Sequence, residues 1–280
     1  MAHRPYAGDP SAPPSVTQVL DALNKPGLSW GAAKETANYA VRHVDSWSSL
    51  PTTDAISRLY RHHRGVWNHR ALVGTAIHEV NAQWCNGRAA RVQDIIRDMR
   101  DKSPLWRKRT EGELFAELLP MTTGLANFWR KFDPQSLSWE QVVRYRHGNP
   151  DVEYIGTVDW RATIGGVPMV LDLKTTGSYK HGKNKYWDQW RLQTAAYRYA
   201  NEAVLYDKDN KERGTIPLLP VDGAGIIHVY ADGHVEFNPV KAGPREHEVF
   251  LALRRVYGWR QTDGQGIGNV DLTPVLGGAS

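Results

Sequence analysis

The sequence predicts an α/β (α+β) protein with a helical N-terminal half and a mixed central sheet flanked by helices. Three observations carry this. Before Pro134, apolar residues recur at the three- and four-residue spacing of helices. After it, runs of β-branched and aromatic residues alternate with polar ones. A Gly165-Gly166 pair lies between two such runs, as in a tight hairpin. Residues 15–262 read as one domain, 15–133 mainly helical and 134–262 containing the sheet. Residues 1–14 read as a flexible N-terminus and 263–280 as a loosely ordered, Gly-rich tail.

In chain order, Val16, Val19, Leu20 and Leu23 mark a first helix over 15–23, ahead of Lys25-Pro26-Gly27. A second runs over 29–44. A third, over 53–62, ends at Arg64-Gly65, and another covers 72–84 with Ile77, Val80 and Trp84 on one side. Between 88 and 109 lies a basic stretch with Arg97, Arg100, Lys102, Arg107, Lys108 and Arg109. It reads as a solvated helix face or as a DNA-backbone contact. The next helix spans 111–132, with Leu114, Leu118, Leu125 and Trp129 in its apolar rows and an interruption at Pro120. Strands follow over 142–145, 153–164 and 167–174, then a helix over 187–203. A hairpin pairs 225–230 with 234–237 across Ala231-Asp232-Gly233, and a closing helix covers 246–259.

The chain has 280 residues, a formal charge of +5 and a pI near 9.2, so its mild basic excess favours polyanionic partners. The one cysteine, Cys85, excludes an internal disulfide and any iron–sulfur cluster or zinc site held by four cysteines of this chain. Eleven tryptophans serve as core anchors or as stacking platforms for bases. No stretch approaches the about 18 apolar residues that span a bilayer, and the N-terminus lacks the apolar run of a signal peptide. A cytoplasmic protein is expected, in the host cytoplasm if phage-encoded.

If Gly165-Gly166 is the turn, Ile164 faces Val167 and Asp159 faces Asp172. One face then carries Val158, Trp160, Ala162, Ile164, Val167, Met169, Leu171 and Leu173, all apolar. The other carries Thr157, Asp159, Arg161, Thr163, Pro168, Val170, Asp172 and Lys174. Two carboxylates directly opposite sit roughly 4.5–5.5 Å apart at Cβ and repel. Either one carboxylate is protonated or a cation such as Mg²⁺ sits between them. The alternative is an exposed polar strand face on which Lys174 neutralises a neighbouring Asp.

These residues resemble the PD-(D/E)xK nuclease superfamily, whose core motif pairs an Asp with a later (D/E)-x-K. Here the two parts are Gly156-Thr-Val-Asp159 and Asp172-Leu-Lys174. The pattern is most similar to the RecB-like exonuclease branch. Two further signatures match it in order: Gly74-Thr-Ala-Ile-His78 and Gln193-Thr-Ala-Ala-Tyr197. The resemblance implies a restriction-endonuclease-like core. It also implies metal ligation by His78, Asp159, Asp172 and the Leu173 carbonyl, with catalysis by Asp159, Asp172, Lys174, Gln193 and Tyr197. Glu153 is a weaker candidate ligand. The branch's iron–sulfur cysteines are absent, as is a helicase P-loop.

The expected function is that of a stand-alone, Mg²⁺- or Mn²⁺-dependent DNA exonuclease in phage or prokaryotic recombination or DNA processing. Its partner is DNA, alongside a recombination partner such as a single-strand annealing protein. Lys180, Lys183, Lys185 and Arg191 are candidate phosphate contacts, and Tyr186, Trp187 and Trp190 candidate base-stacking residues, the two tryptophans fitting the core better. The competing readings are an endonuclease of restriction or junction-resolving type on the same core, and a non-catalytic DNA-binding protein.

Overall fold

The computed structural model describes residues 5–7, 9, 11–23, 26–180 and 188–262. Its helical half comprises α1 (Val16–Leu20), α2 (Pro26–Arg42), a 3-10 turn (Val44–Ser46), α3 (Thr52–Cys85), α4 (Val92–Lys102), α5 (Pro104–Arg107) and α6 (Glu111–Phe132). There follow β1 (Gln135–Tyr145), β2 (Tyr154–Ile164), β3 (Val167–Thr176), α7 (Asp188–Tyr199), β4 (Glu202–Tyr206), β5 (Glu212–Pro217), β6 (Gly223–Tyr230), β7 (Val235–Pro239) and α8 (Pro244–Thr262). The strands form one mixed sheet in the order β5-β4-β1-β2-β3-β6-β7, in which β3 and β6 run parallel. No helix of the described residues is long and apolar enough to cross a membrane.

Helix starts follow local chemistry. Ser15 and Thr110 each cap a helix with a reciprocal capping box, using Gln18 and Glu113 respectively. Two expected interruptions do not occur. The helix α3 runs unbroken through Arg64-Gly65 for 34 residues. A glycine in a helix costs only about 1 kcal/mol, and the flanking turns are held against α2, where His62 stacks on Tyr39 with ring centroids 3.8 Å apart. Likewise α6 continues through Pro120, because Leu114, Leu118, Met121, Leu125 and Phe128 pack into the core on both sides of it.

Gly165 and Gly166 have φ of 57° and 82°, the left-handed pair that a type I′ turn demands. Pairing runs from Ile164 opposite Val167 to Trp160 opposite Leu171, in the expected register. The two sheet faces carry separate cores. Trp160, Ala162, Ile164, Met169, Leu171 and Leu173 pack under the α3–α6 layer, while Val143, Val158 and Val170 pack under α1, α7 and α8.

Val158 therefore departs from the expected face. The β1–β2 ladder passes from Trp139 opposite Trp160 to Gln141 opposite Val158, and between them Glu140 has a φ of 44°. The register is kept across this point and shifts instead between Ser136 and Ser138. Nor is the second face exposed, since Val170 and Asp172 are buried on it beneath helices.

Two strands escape the sequence pattern. The expected helix over 187–203 stops at Tyr199, and Glu202 onward forms β4, which pairs with β1 and β5. Asp207 turns this hairpin by accepting the amides of Asp209 and Lys211 at 2.9 Å each. The N-terminal segment is also more tied down than its composition implies. Tyr6 is buried and its hydroxyl lies 3.3 Å from Thr157 Oγ1, while the Ile155 amide donates to the Pro14 carbonyl. The 263–280 tail lies outside the described residues.

Two outcomes test this packing. A Cβ on Gly124 of α6 would sit 2.1 Å from the Gly233 carbonyl oxygen, whereas one on Gly112 meets nothing within 4 Å. Gly124→Ala should therefore destabilise the fold by about 1–3 kcal/mol, and Gly112→Ala should stabilise it by about 0.5–1 kcal/mol. Equal urea midpoints for the two would refute the contact. Separately, the Tyr154 hydroxyl donates to the Ala196 carbonyl and lies 2.8 Å from His247 Nε2, so the imidazole donates to it as the neutral Nε2–H tautomer. Burial pushes His247 down to about 4. The unfolded chain takes up this proton first, so stability is full above about pH 6.5 and falls as pH drops toward 4. His247→Gln should flatten that part of the stability–pH curve.

Candidate active site

The residue types singled out from sequence meet at one end of β2 and β3. On the α3 side, Gly74 lets the helix approach β3, since a Cβ there would lie 2.9 Å from Thr175 Oγ1. One turn later His78 donates from Nε2 to the Leu173 carbonyl at 3.0 Å. Its Nδ1 lies 3.8 Å from Asp159 Oδ1 and 3.7 Å from Glu140 Oε1. On the α7 side, a Cβ at Gly156 would come within 2.6 Å of the Tyr197 ring. Glycine here lets α7 settle on β2 and brings Gln193, one turn earlier, over β3.

The two aspartates play different parts. Asp159 Oδ2 accepts the Leu173 amide at 2.9 Å. Asp172, only 1% exposed, turns its carboxylate to Lys174 Nζ at 2.7 and 2.9 Å. Lys174 Nζ also reaches Gln193 Oε1 at 3.2 Å. Pairing of β2 with β3 ends at Trp160 opposite Leu171, so the expected direct opposition of Asp159 and Asp172 is not seen: Asp159 turns to the Leu173 amide and His78, and Asp172 to Lys174. Burial and the charge of Asp159 push the Asp172 carboxyl up, against the pull of Lys174. Burial pulls the Lys174 ammonium down, but Asp172 and Asp159 outweigh it and leave it raised. For His78 burial again acts downward, and the Asp159 and Glu140 carboxylates carry it up to about 9. Tyr197 is raised by its burial and by Asp159.

Glu140 is the residue that sequence reasoning missed. Together with His78 and Asp159 it forms a group of three whose ligand atoms lie within 4.8 Å of one another, and its Oε2 is buried without a hydrogen-bond partner among the described residues. Ligands of one small divalent ion, bound at about 2.0–2.2 Å, stand at most about 4.4 Å apart. A slight contraction of the group meets that limit. Charge favours the same fit. Three carboxylates against His78 and Lys174 leave one negative charge in excess, and a divalent ion in place of the imidazolium proton restores neutrality. The Leu173 carbonyl, expected as a ligand, instead orients His78 from behind, as the outer partner of a metal-bound histidine does.

Other candidates lie elsewhere. Glu153 accepts the amides of His147 and Gly148 at 3.1 and 2.9 Å, which ties it to a turn rather than to this group. Arg191 pairs with Glu246 at 2.7 Å, on α8. Lys180 is exposed. Trp190 packs edge-on against His228, with ring centroids 5.3 Å apart. Lys183, Lys185, Tyr186 and Trp187 lie outside the described residues.

The chain matches no family model and no curated protein. Among solved structures, the crystal structure of SSO0001 aligns at 12% identity with a TM-score of 0.32, over 69% of this chain and 74% of that one. A likeness at that level bears on neither fold nor activity.

The φ of 44° at Glu140 costs a non-glycine residue about 1–2 kcal/mol, so side-chain function and backbone stability conflict there. Glu140→Gly should match or exceed the wild-type melting temperature without metal. In calorimetry it should bind Mn²⁺ at least about tenfold more weakly, as should His78→Ala. Wild-type Mn²⁺ affinity in both variants would remove this group as a metal site.

Proposed function

We propose that the chain is a metal-dependent nuclease that hydrolyses DNA phosphodiester bonds. The observation that carries this reading is the convergence of His78, Glu140, Asp159, Asp172 and Lys174, from α3, β1, β2 and β3, on one cluster of mixed charge. His78, Glu140 and Asp159 would hold the ion. Two oxygens and one imidazole nitrogen suit Mn²⁺ at least as well as Mg²⁺, because the nitrogen donor is softer than Mg²⁺ prefers. When bound, such an ion lowers the pKa of a water and offsets phosphate charge.

The chain's own residues supply the rest. Lys174 is kept charged by Asp172 and held in place by Gln193 Oε1, so a fixed ammonium faces the negative charge that builds on a phosphate under attack. Asp172 stays beneath Lys174 and acts through it. Tyr197 packs against Gly156 and anchors the helix that carries Gln193. The narrower reading, an exonuclease, rests on the order of the His78, Asp159, Asp172-x-Lys174 and Gln193/Tyr197 motifs and their resemblance to the RecB-like branch.

Digestion of end-labelled linear DNA with Mn²⁺ or Mg²⁺ tests both levels. Lys174→Met and Asp172→Ala should lower the rate by at least about 100-fold. Undiminished cleavage in either variant would sink the assignment. Covalently closed circular DNA should survive the wild-type enzyme, and its linearisation would make the activity endonucleolytic.

A further inference from the structure

The helix that supplies His78 extends far beyond the site. Its buried residues begin at Val73. Before that, the N-terminal half of α3 pairs with α2 as a two-helix arm in which no described side chain is fully buried. Apolar and aromatic side chains stand in solvent along it: Trp30 is 78% exposed, Val41 77%, Ile56 62% and Tyr60 54%. Residues 26–70 carry six Lys and Arg against three Asp and Glu, with four histidines besides.

Arg70 and His62 of the arm approach Glu35 at 3.8 and 3.9 Å, but Arg61 and Arg64 differ from four cations of the basic stretch over 88–109. There, Arg97 and Arg100 pair with Glu111, Lys102 with Asp98 and Arg109 with Glu117, so their charge is spent within the fold. In the arm, Arg61 turns to the Ser57 carbonyl at 3.2 Å. Arg64 lies over the Tyr60 ring at 4.7 Å and donates to its hydroxyl at 2.8 Å. Among the described residues neither arginine has a carboxylate partner. A guanidinium held over an aromatic ring is an arrangement suited to phosphate and base contacts.

Helix geometry relates this row to the site. Tyr60 precedes His78 by eighteen residues, about five full turns, and so points to the same side of α3. Arg64, fourteen residues before His78, falls within about 40° of that direction, and Arg61, seventeen before it, flanks the row about 100° away. The three lie about 21–27 Å from His78 along the axis, the length of about six to eight nucleotides at 3.4 Å each.

We propose that the α2–α3 arm, through Arg61, Arg64 and Tyr60, grips the DNA backbone about six to eight nucleotides from the cleavage site. The proposal rests on the nuclease reading for its substrate and specifies which surface holds that substrate. The test is equilibrium binding of a fluorescein-labelled duplex in EDTA, where nothing is cut, across a salt series. With a duplex of about 20 base pairs, Arg61→Gln/Arg64→Gln should bind roughly tenfold more weakly, with the salt slope reduced by about 1–2. Arg61→Lys/Arg64→Lys should keep the wild-type slope. With a duplex of about 5 base pairs, too short to reach the arm, wild type and variants should bind alike.

Unchanged affinity and slope for the long duplex in the Gln variant would overturn the proposal. So would light scattering in which that variant dissolves a dimer while DNA affinity holds, since the arm would then be a protein interface. The outcomes separate from those of the preceding section. Arm variants that bind normally while Asp172→Ala abolishes cleavage defeat the arm alone. Arm-dependent binding by a wild-type chain that never cuts DNA defeats the nuclease alone.

Discussion

A carboxylate with 1% exposure needs a charge beside it, and Asp172 obtains one from Lys174 two residues along the same strand. An isolated buried carboxylate costs many kcal/mol, and removing the partner of a buried pair costs about 3–5 kcal/mol. The arrangement around β3 follows from that requirement. Lys174 completes its donors on Gln193, which fixes α7 to this face of the sheet. Between Asp172 and Lys174, the Leu173 amide is held by Asp159 and its carbonyl by His78, which ties β2 and α3 to the same point. Three consecutive residues thus set the relative positions of both helical layers where chemistry is proposed.

That hub was legible in the sequence because its residues obey local rules. Two glycines with φ above zero fix the hairpin register, and the register fixes which side chains meet. Gly74, Gly156, Gln193 and Tyr197 were singled out only by the motif resemblance, and the closeness of helix to strand gives the glycines and Tyr197 a physical reason. Glu140 was not legible. It lies where strand alternation breaks, and alternation is the rule by which a strand residue is assigned a face. Val158, which pairs with the neighbouring Gln141, also escaped the rule and lies in the opposite core. β4 and β5 escaped for another reason. They are short, and β5 is largely exposed, so neither carries the apolar alternation that marks a strand. The breaks expected at Gly65 and Pro120 failed because local propensity, worth about 1–3 kcal/mol, yields to tertiary packing.

The excess charge of +5 says little about function by itself, since its meaning depends on which cations remain unpaired after folding. The sequence presents two basic regions of similar appearance, over 58–70 and 88–109. Folding separates them. In the second, Glu111 and Glu117 of α6 pair with Arg97, Arg100 and Arg109. In the first, Arg70 and His62 approach Glu35, while Arg61 and Arg64 have no carboxylate partner among the described residues. Surface ion pairs contribute little to stability, typically about 0–1 kcal/mol, so the pairing in α4–α6 matters less for what it stabilises than for what it removes from the field. Helix α3, which carries Arg61 and Arg64, also delivers His78 to the carboxylates, so one rigid element joins these two arginines to the site where a phosphate would react.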